Sequence, residues 1–217
     1  MLVDDHPMMR AGLAQIINKQ PDIQTCCECG SAPEAFEVFH KFNPHLVLTD
    51  ITLPGKNGIE LIKDLLAVAP KLPILVISMH DETMYAERVL RAGARGYIMK
   101  ESGGENLLIA IRQVLNGQVY VSPRISAMIL DNLSARKPRS SSSPIEKLSD
   151  REFEIFQLIG QGKSTRDIAT QLHLSLKTVE VHRGHIRGKL ELKDAMALVH
   201  QAIRWFEVEG NRANTST

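Results

Sequence analysis

The stretch LVLTDITLPG, residues 46–55, stays apolar for the length of a strand, stops on Asp50, takes two further steps and turns on Leu53-Pro54-Gly55. A lone aspartate at a strand end is ordinary, because Asp forms turns and caps helices. The surrounding pattern decides its meaning. Short apolar runs recur on both sides, each followed by a segment of helical period. MLV (1–3) precedes a predicted helix over Pro7–Asn18, IQTCCEC (23–29) one over Pro33–Lys41, and HLVLT (45–49) one over Gly58–Val68. PILVIS (73–78) precedes Glu82–Arg91, and GYIM (96–99) precedes Glu105–Asn116. Five strand–helix pairs predict an α/β domain with a doubly wound, five-stranded parallel sheet and helices on both faces.

Ligands of such folds bind beyond the carboxyl ends of the strands. There the sequence places Asp4 and Asp5 after the first strand, Asp50 after the third, Ser78 on the fourth and Lys100 after the fifth. Clustered carboxylates repel unless a hard cation neutralises them, and oxygen donors suit Mg2+. A lysine beside them points to a second, anionic ligand.

The chain has 217 residues and a net charge of +1, enough for two ordinary domains. No run approaches ~18 apolar residues, so no membrane span is expected. The opening MLVDDHPMMR carries acids where a secretion signal needs an apolar region, so the expectation is a cytoplasmic protein. Cys26, Cys27 and Cys29 have no second ligand pair at zinc-site spacing and are expected to be reduced strand residues. SARKPRSSSSP (134–144) lacks apolar periodicity and reads as a tether. Acids outnumber bases 14 to 12 up to residue 130, and bases outnumber acids 14 to 11 beyond it, a weak pointer to nucleic acid in the C-terminal part.

After the tether comes LSDREFEIFQLIGQGKSTRDIATQLHLSLKTVEVHRGHIRGKL, residues 148–190. Ser149 with Glu152 has capping-box spacing and predicts a helix from Asp150 to Gly160 or Gly162. Ser164 with Asp167 repeats the box for a short helix ending near Leu172, and Ser175 caps a third running to about Leu190. Two helices joined by so tight a turn, the second basic, read as a helix-turn-helix. At 100° per residue Val179, Ile186 and Leu190 share the inner stripe with His182 beside it. Lys177, Val181, Gly184 and Gly188 face outward, flanked by Glu180, His185 and Arg187. Two glycines cost roughly 1 kcal/mol each relative to alanine. Close approach to a groove wall and simple tolerance of an exposed face both account for them. A last helix is expected over about Asp194–Phe206.

The ordered set VDDHP, LVLTD, LPGKNGIE, VISMH and GYIMK resembles the receiver domain of two-component response regulators, a flavodoxin-like fold. The resemblance implies that Asp50 accepts phosphate from a sensor histidine kinase. It implies Mg2+ bound directly by Asp5, Asp50 and the backbone carbonyl of Thr52, and through water by Asp4. Lys100 would pair with phosphoryl oxygens, while Ser78 and Tyr97 occupy the switch positions. LSDRE, G-x-S-x-x-D-I-A, L-x-L-S-x-K-T-V and V-H-R resemble the four-helix LuxR-type DNA-binding domain, and the whole resembles NarL/FixJ-type transcriptional regulators. That implies a third helix in the major groove of double-stranded DNA. Glu180, Val181 and Gly184 would face bases, Lys177, Thr178, Arg183 and Arg187 phosphates, with His185 alongside. A homodimer on a two-fold site is implied through the last helix.

The expected layout is a receiver over 1–120, a linker helix and tether over 121–144, a DNA-binding domain over 145–210 and a disordered tail over 211–217. Only three residues precede the acid pair, so the first strand is short for such a domain and the true start is expected upstream. The implied activity is regulatory, not that of an enzyme. Two other readings stand beside it: a Mg2+-dependent phosphotransfer enzyme with an aspartyl nucleophile, and a phosphate-independent regulator whose first domain only dimerises.

Overall fold

The computed structural model describes residues 1–134 and 144–214. The chain divides into two compact units at Ser134/Ala135.

In the first unit β1 (Leu2–Val3), β2 (Glu28–Cys29), β3 (Val47–Thr49), β4 (Ile74–Ser78) and β5 (Gly96–Met99) form one sheet in the order β2-β1-β3-β4-β5. Every pairing is parallel. The central strands β1, β3 and β4 are buried throughout, which is why they read as continuous apolar runs instead of alternating ones. Helices α1 (Pro7–Asn18), α2 (Ala32–Phe42), α3 (Gly58–Val68), α4 (Glu82–Arg91), α5 (Gly104–Leu115) and α6 (Pro123–Ser134) complete the unit. Side-chain caps set the starts of α2, α3 and α4. Ser31 accepts from the Glu34 amide, Asn57 and Glu60 form a capping box, and Asp81 accepts from the Thr83 amide. On one face Leu13, Ile17, Leu107, Ile111 and Val114 pack against Leu2, Leu48, Leu75 and Ile77.

The register matters most for function. Val3 pairs with Thr49, so β1 and β3 end level and Asp4 and Asp50 leave the sheet side by side. The Asp50 amide donates to the Val3 carbonyl at 2.9 Å. Beyond α5 the chain returns along β5, where the Tyr97 amide donates to the Tyr120 carbonyl at 2.9 Å. This single bridge covers the start of that sheet edge.

The strand expected over residues 23–29 is only Glu28–Cys29, because β1 offers just Leu2 and Val3 as parallel partners. Residues 135–143, most of the expected tether, lie outside the described residues.

The second unit opens with a 3-10 turn, Pro144–Lys147, followed by α7 (Asp150–Gly160), α8 (Thr165–Gln171), α9 (Leu176–Lys189) and α10 (Ala195–Asn214). Both expected capping boxes are present, and Ser175 accepts from the Thr178 amide. His173 takes a left-handed conformation, φ 52°, in the turn between α8 and α9. The Leu174 amide then closes onto the Ala169 carbonyl at 2.8 Å. Ile155, Phe156, Ile168, Val179, Ile186, Leu198 and Ala202 are fully buried, and the Trp205 ring lies edge-on to Phe153 at 5.5 Å. The last helix continues to Asn214, four residues into the stretch expected to be a disordered tail. Gly210 weakens a helix by about 1 kcal/mol but does not end one, and no proline follows to remove an amide. Residues 215–217 lie outside the described residues. Among the described residues no helix is long and apolar enough to cross a membrane.

Gly160 is held in a close approach between α7 and α10. A methyl group there would stand 2.7 Å from the Ala202 carbonyl oxygen and 2.9 Å from Phe206 Cβ. Gly160→Ala should therefore push α10 off α7 and destabilise the unit by roughly 1–3 kcal/mol. Urea unfolding followed by Trp205 emission reads this; an unchanged midpoint would contradict the packing described.

Candidate phosphoacceptor site and helix-turn-helix

Beyond the carboxyl ends of the strands the Lys100 ammonium lies 2.6 Å from Asp50 Oδ2 and 2.7 Å from Asp4 Oδ2. All three side chains are buried, at 3%, 5% and 0% exposure. The second oxygen of each carboxylate is held by backbone: Asp50 Oδ1 accepts from the Ile51 amide at 2.6 Å and Asp4 Oδ1 from the His6 amide at 2.8 Å. Asp5 sits slightly more open, with His6 Nδ1 2.7 Å from its Oδ1. Burial works against the charge of Lys100, but the Asp50 and Asp4 carboxylates outweigh it and raise the ammonium above its ordinary range. One firmly held positive charge thus faces three carboxyl groups.

Donor atoms of Asp4, Asp5, His6 and Asp50 all lie within 4.8 Å of one another, so the expected acids converge. Thr52 follows in the loop, its hydroxyl 2.8 Å from His80 Nε2. Ser78 is buried at the end of β4, and its Oγ accepts from the His80 amide at 3.2 Å. The Tyr97 ring is buried too, and its hydroxyl donates to the His80 carbonyl at 2.7 Å. Burial pushes that phenol far above its usual range, so it stays a donor.

Two residues escaped the sequence reading. His80 ties the others together: it meets Thr52, takes its amide bond to Ser78, accepts from Tyr97 and stacks on Tyr85 at 4.7 Å. Burial, helped by the charge of Lys100, pushes its imidazole down to about 4, so the ring is neutral near pH 7. Its signal was its place two residues beyond Ser78. The other is Gly58, whose amide donates to the Ile51 carbonyl at 2.7 Å. A methyl group there would stand 1.9 Å from the Asp50 carbonyl oxygen. The first turn of α3 touches the backbone of Asp50, and only glycine permits it.

In the second unit α9 turns Val179 and Ile186 fully inward, with Leu190 and His182 half-buried. Lys177, Glu180, Val181, His185 and Gly188 are exposed, and Thr178, Arg183, Gly184 and Arg187 partly so. Glu180 is engaged within the unit, accepting from the Thr165 hydroxyl at 2.9 Å. Nothing lies within 4 Å of a methyl group built on Gly184 or Gly188, so packing of this unit does not demand either glycine.

Residues 1–112 match the family described as "Response regulator receiver domain", and residues 146–202 match "Bacterial regulatory proteins, luxR family". The chain belongs to the response-regulator family. Oxygen regulatory protein NreC of Staphylococcus haemolyticus is 34% identical over 208 residues, covering 94% of this chain and 96% of that one. NreC of Staphylococcus aureus (strain bovine RF122) is 35% identical over the same length. Among solved structures, a LuxR-family response regulator of Aurantimonas is 34% identical, with a TM-score of 0.58 over 61% of this chain and 95% of its own. RcsB of Salmonella enterica bound to promoter rprA shares the fold at 24% identity, with a TM-score of 0.59 over 92% of this chain and 95% of its own. This response regulator pairs a receiver with a LuxR-type DNA-binding domain and controls transcription by phosphorylation.

Gly58→Ala tests the contact behind the acid cluster. Relieving the overlap requires α3 or the Asp50 peptide to move, so stability of the first unit should fall by roughly 1–3 kcal/mol. Urea unfolding followed by circular dichroism measures it, and a wild-type midpoint would refute the close approach.

Proposed function

We propose that Asp50 is the phosphoacceptor of this response regulator and that a sensor histidine kinase is its donor. The observation that carries this is the bridge from Lys100 to Asp50 and Asp4, with Asp50 at the end of a central strand and its turn held by the Gly58 contact. Transfer joins an Asp50 carboxylate oxygen to phosphorus as the donor's nitrogen–phosphorus bond breaks, and the imidazole leaves neutral, its bonding pair kept on that nitrogen and its proton already on the other. The chain's work is positioning and charge neutralisation. Lys100 exchanges a carboxylate partner for a phosphoryl oxygen, and Ser78 with Tyr97 form the switch on the other side of His80.

The donor set fits Mg2+: three carboxyl groups supply hard oxygens within reach of one another, against a single ammonium. Asp5, Asp50 and the Thr52 carbonyl would hold it directly and Asp4 through water. When bound it screens the carboxylates from the incoming phosphoryl group. Phosphorylation then serves regulation, not turnover of a substrate.

For output, we assign residues 1–120 to the receiver, 121–144 to the linker and 145–210 to the DNA-binding domain. The third helix of that domain enters the major groove of double-stranded DNA. Glu180, Val181 and Gly184 meet bases; Lys177, Thr178, Arg183 and Arg187 meet phosphates, with His185 beside them. A phosphorylated homodimer binds a two-fold promoter site in the cytoplasm.

Acetyl phosphate with Mg2+ should label the full chain, and Asp50→Asn should abolish labelling. Wild-type stoichiometry in that variant would place the acceptor elsewhere, while failure to label the wild type would favour a phosphate-independent regulator. On DNA, Arg187→Ala should weaken all sites alike and lower the slope of log affinity against log salt by about one. Val181→Met should change site preference. Binding titrations at several salt concentrations on a selected and a scrambled site separate the two, and an Arg187→Ala effect on preference alone would overturn the assignment.

A further inference from the structure

The second unit holds a group of side chains that phosphotransfer does not use, and of which only His185 also stands among the residues assigned to DNA. Glu152, His182 and His185 each offer one donor atom, and the three atoms lie within 4.8 Å of one another. His182 and His185 stand three residues apart on α9, so they project from one side of the helix. Glu152 comes from the first turn of α7 and is buried.

We propose that Glu152, His182 and His185 form a binding site for a transition-metal dication of the zinc class. The inference stands whether or not α9 binds DNA as proposed above.

Two imidazoles and a carboxylate are a borderline donor set, which suits Zn2+, Ni2+ or Cu2+ and not Mg2+ or Ca2+, whose ligands are oxygens. Three protein donors leave a fourth tetrahedral position for water. The distances are close to those required. Donors bound at about 2.0–2.2 Å in a tetrahedron stand about 3.3–3.5 Å apart, and Glu152 Oε1 is 3.8 Å from His185 Nδ1. Small rotations of two side chains close that gap, and His185 is free to rotate because its side chain is 61% exposed.

The carboxylate is already prepared. Glu152 Oε2 accepts from the Ser149 amide at 2.7 Å and from the Lys189 ammonium at 2.6 Å, which leaves Oε1 to face the imidazoles. Burial works to raise this carboxyl, but the Lys189 and Ser149 bonds hold it below its usual range, so it stays ionised. These bonds also orient the carboxylate, the role of the outer shell in metal sites. Lys189 repels a cation, which limits affinity and makes the site one that fills and empties with metal supply. An ion bound there would fasten the middle of α9 to the start of α7.

Co2+ reports the geometry. Full-length untagged protein, held in saturating Mg2+ to occupy the acid cluster of the first unit, is titrated with Co2+ and followed by visible absorption. The expected result is one equivalent of tetrahedral bands without sulfur charge transfer, displaced by Zn2+ and lost in His185→Gln. Zn2+ should also raise the thermal midpoint read by Trp205, the sole tryptophan, in the wild type and not in His185→Gln. Absence of tetrahedral bands overturns the site. So do bands that survive His185→Gln, and bands with near-ultraviolet thiolate absorption, which would assign the metal to Cys26, Cys27 and Cys29. His185 is a surface side chain, so this variant folds, and circular dichroism verifies that it has.

Discussion

One ammonium group holds two buried carboxylates together at the end of a parallel sheet. Removing such charges from water is costly, and the cost is recovered only if each is paired and further hydrogen-bonded. Asp4 and Asp50 meet both conditions: Lys100 bridges them at 2.7 and 2.6 Å, and the His6 and Ile51 amides take their other oxygens. The parallel register fixes where the three strand ends stand. β1 and β3 end level, Val3 opposite Thr49, while β4 and β5 run two residues further, Thr49 being opposite Val76 and Ser78 opposite Met99, so Lys100 follows a strand that overshoots the two acids' strands.

The same group explains why the site can answer a new charge. Lys100 has two partners of the same kind, so a third anion competes for an ammonium that is already shared. On the other side of the pocket the bonds of His80, in the loop after β4, are neutral. His80 meets Thr52, Ser78 and Tyr97, and its imidazole, driven down to about 4 by burial and by Lys100, adds no charge near pH 7. A rearrangement at Lys100 is therefore felt there mainly through geometry. From that loop α4 leads to Ser122, whose hydroxyl donates to Glu82 at 2.6 Å just before α6 begins. This bond ties the start of α4 to the start of α6.

The acids and the lysine were legible because a parallel sheet turns strand-end residues into neighbours, whatever their distance in sequence. Capping boxes fixed the starts of α7 and α8 for a similar reason: Ser149 with Glu152 and Ser164 with Asp167 are local chemistry. What stayed hidden depended on contacts between distant segments. Gly58 lay in the quoted run LPGKNGIE, yet nothing in that run says its α-carbon touches the Asp50 carbonyl. His80 lay in VISMH, but its partners come from three other segments. The extent of β2 depends on how many residues β1 offers.

The glycines of α9 show where stability and function separate. Gly160 is dictated by the fold, since any side chain there strikes Ala202 and Phe206. Gly184 and Gly188 meet nothing, so each lowers helix stability by roughly 1 kcal/mol relative to alanine with no return inside the domain. The inner stripe compensates, with Val179 and Ile186 fully buried and Ser175 capping the first turn. An outer face stripped of side chains beside Val181 leaves the helix backbone itself exposed. Such a face lets a helix approach a partner's wall more closely than a longer side chain would allow, and that is a property of the complex, not of the free chain.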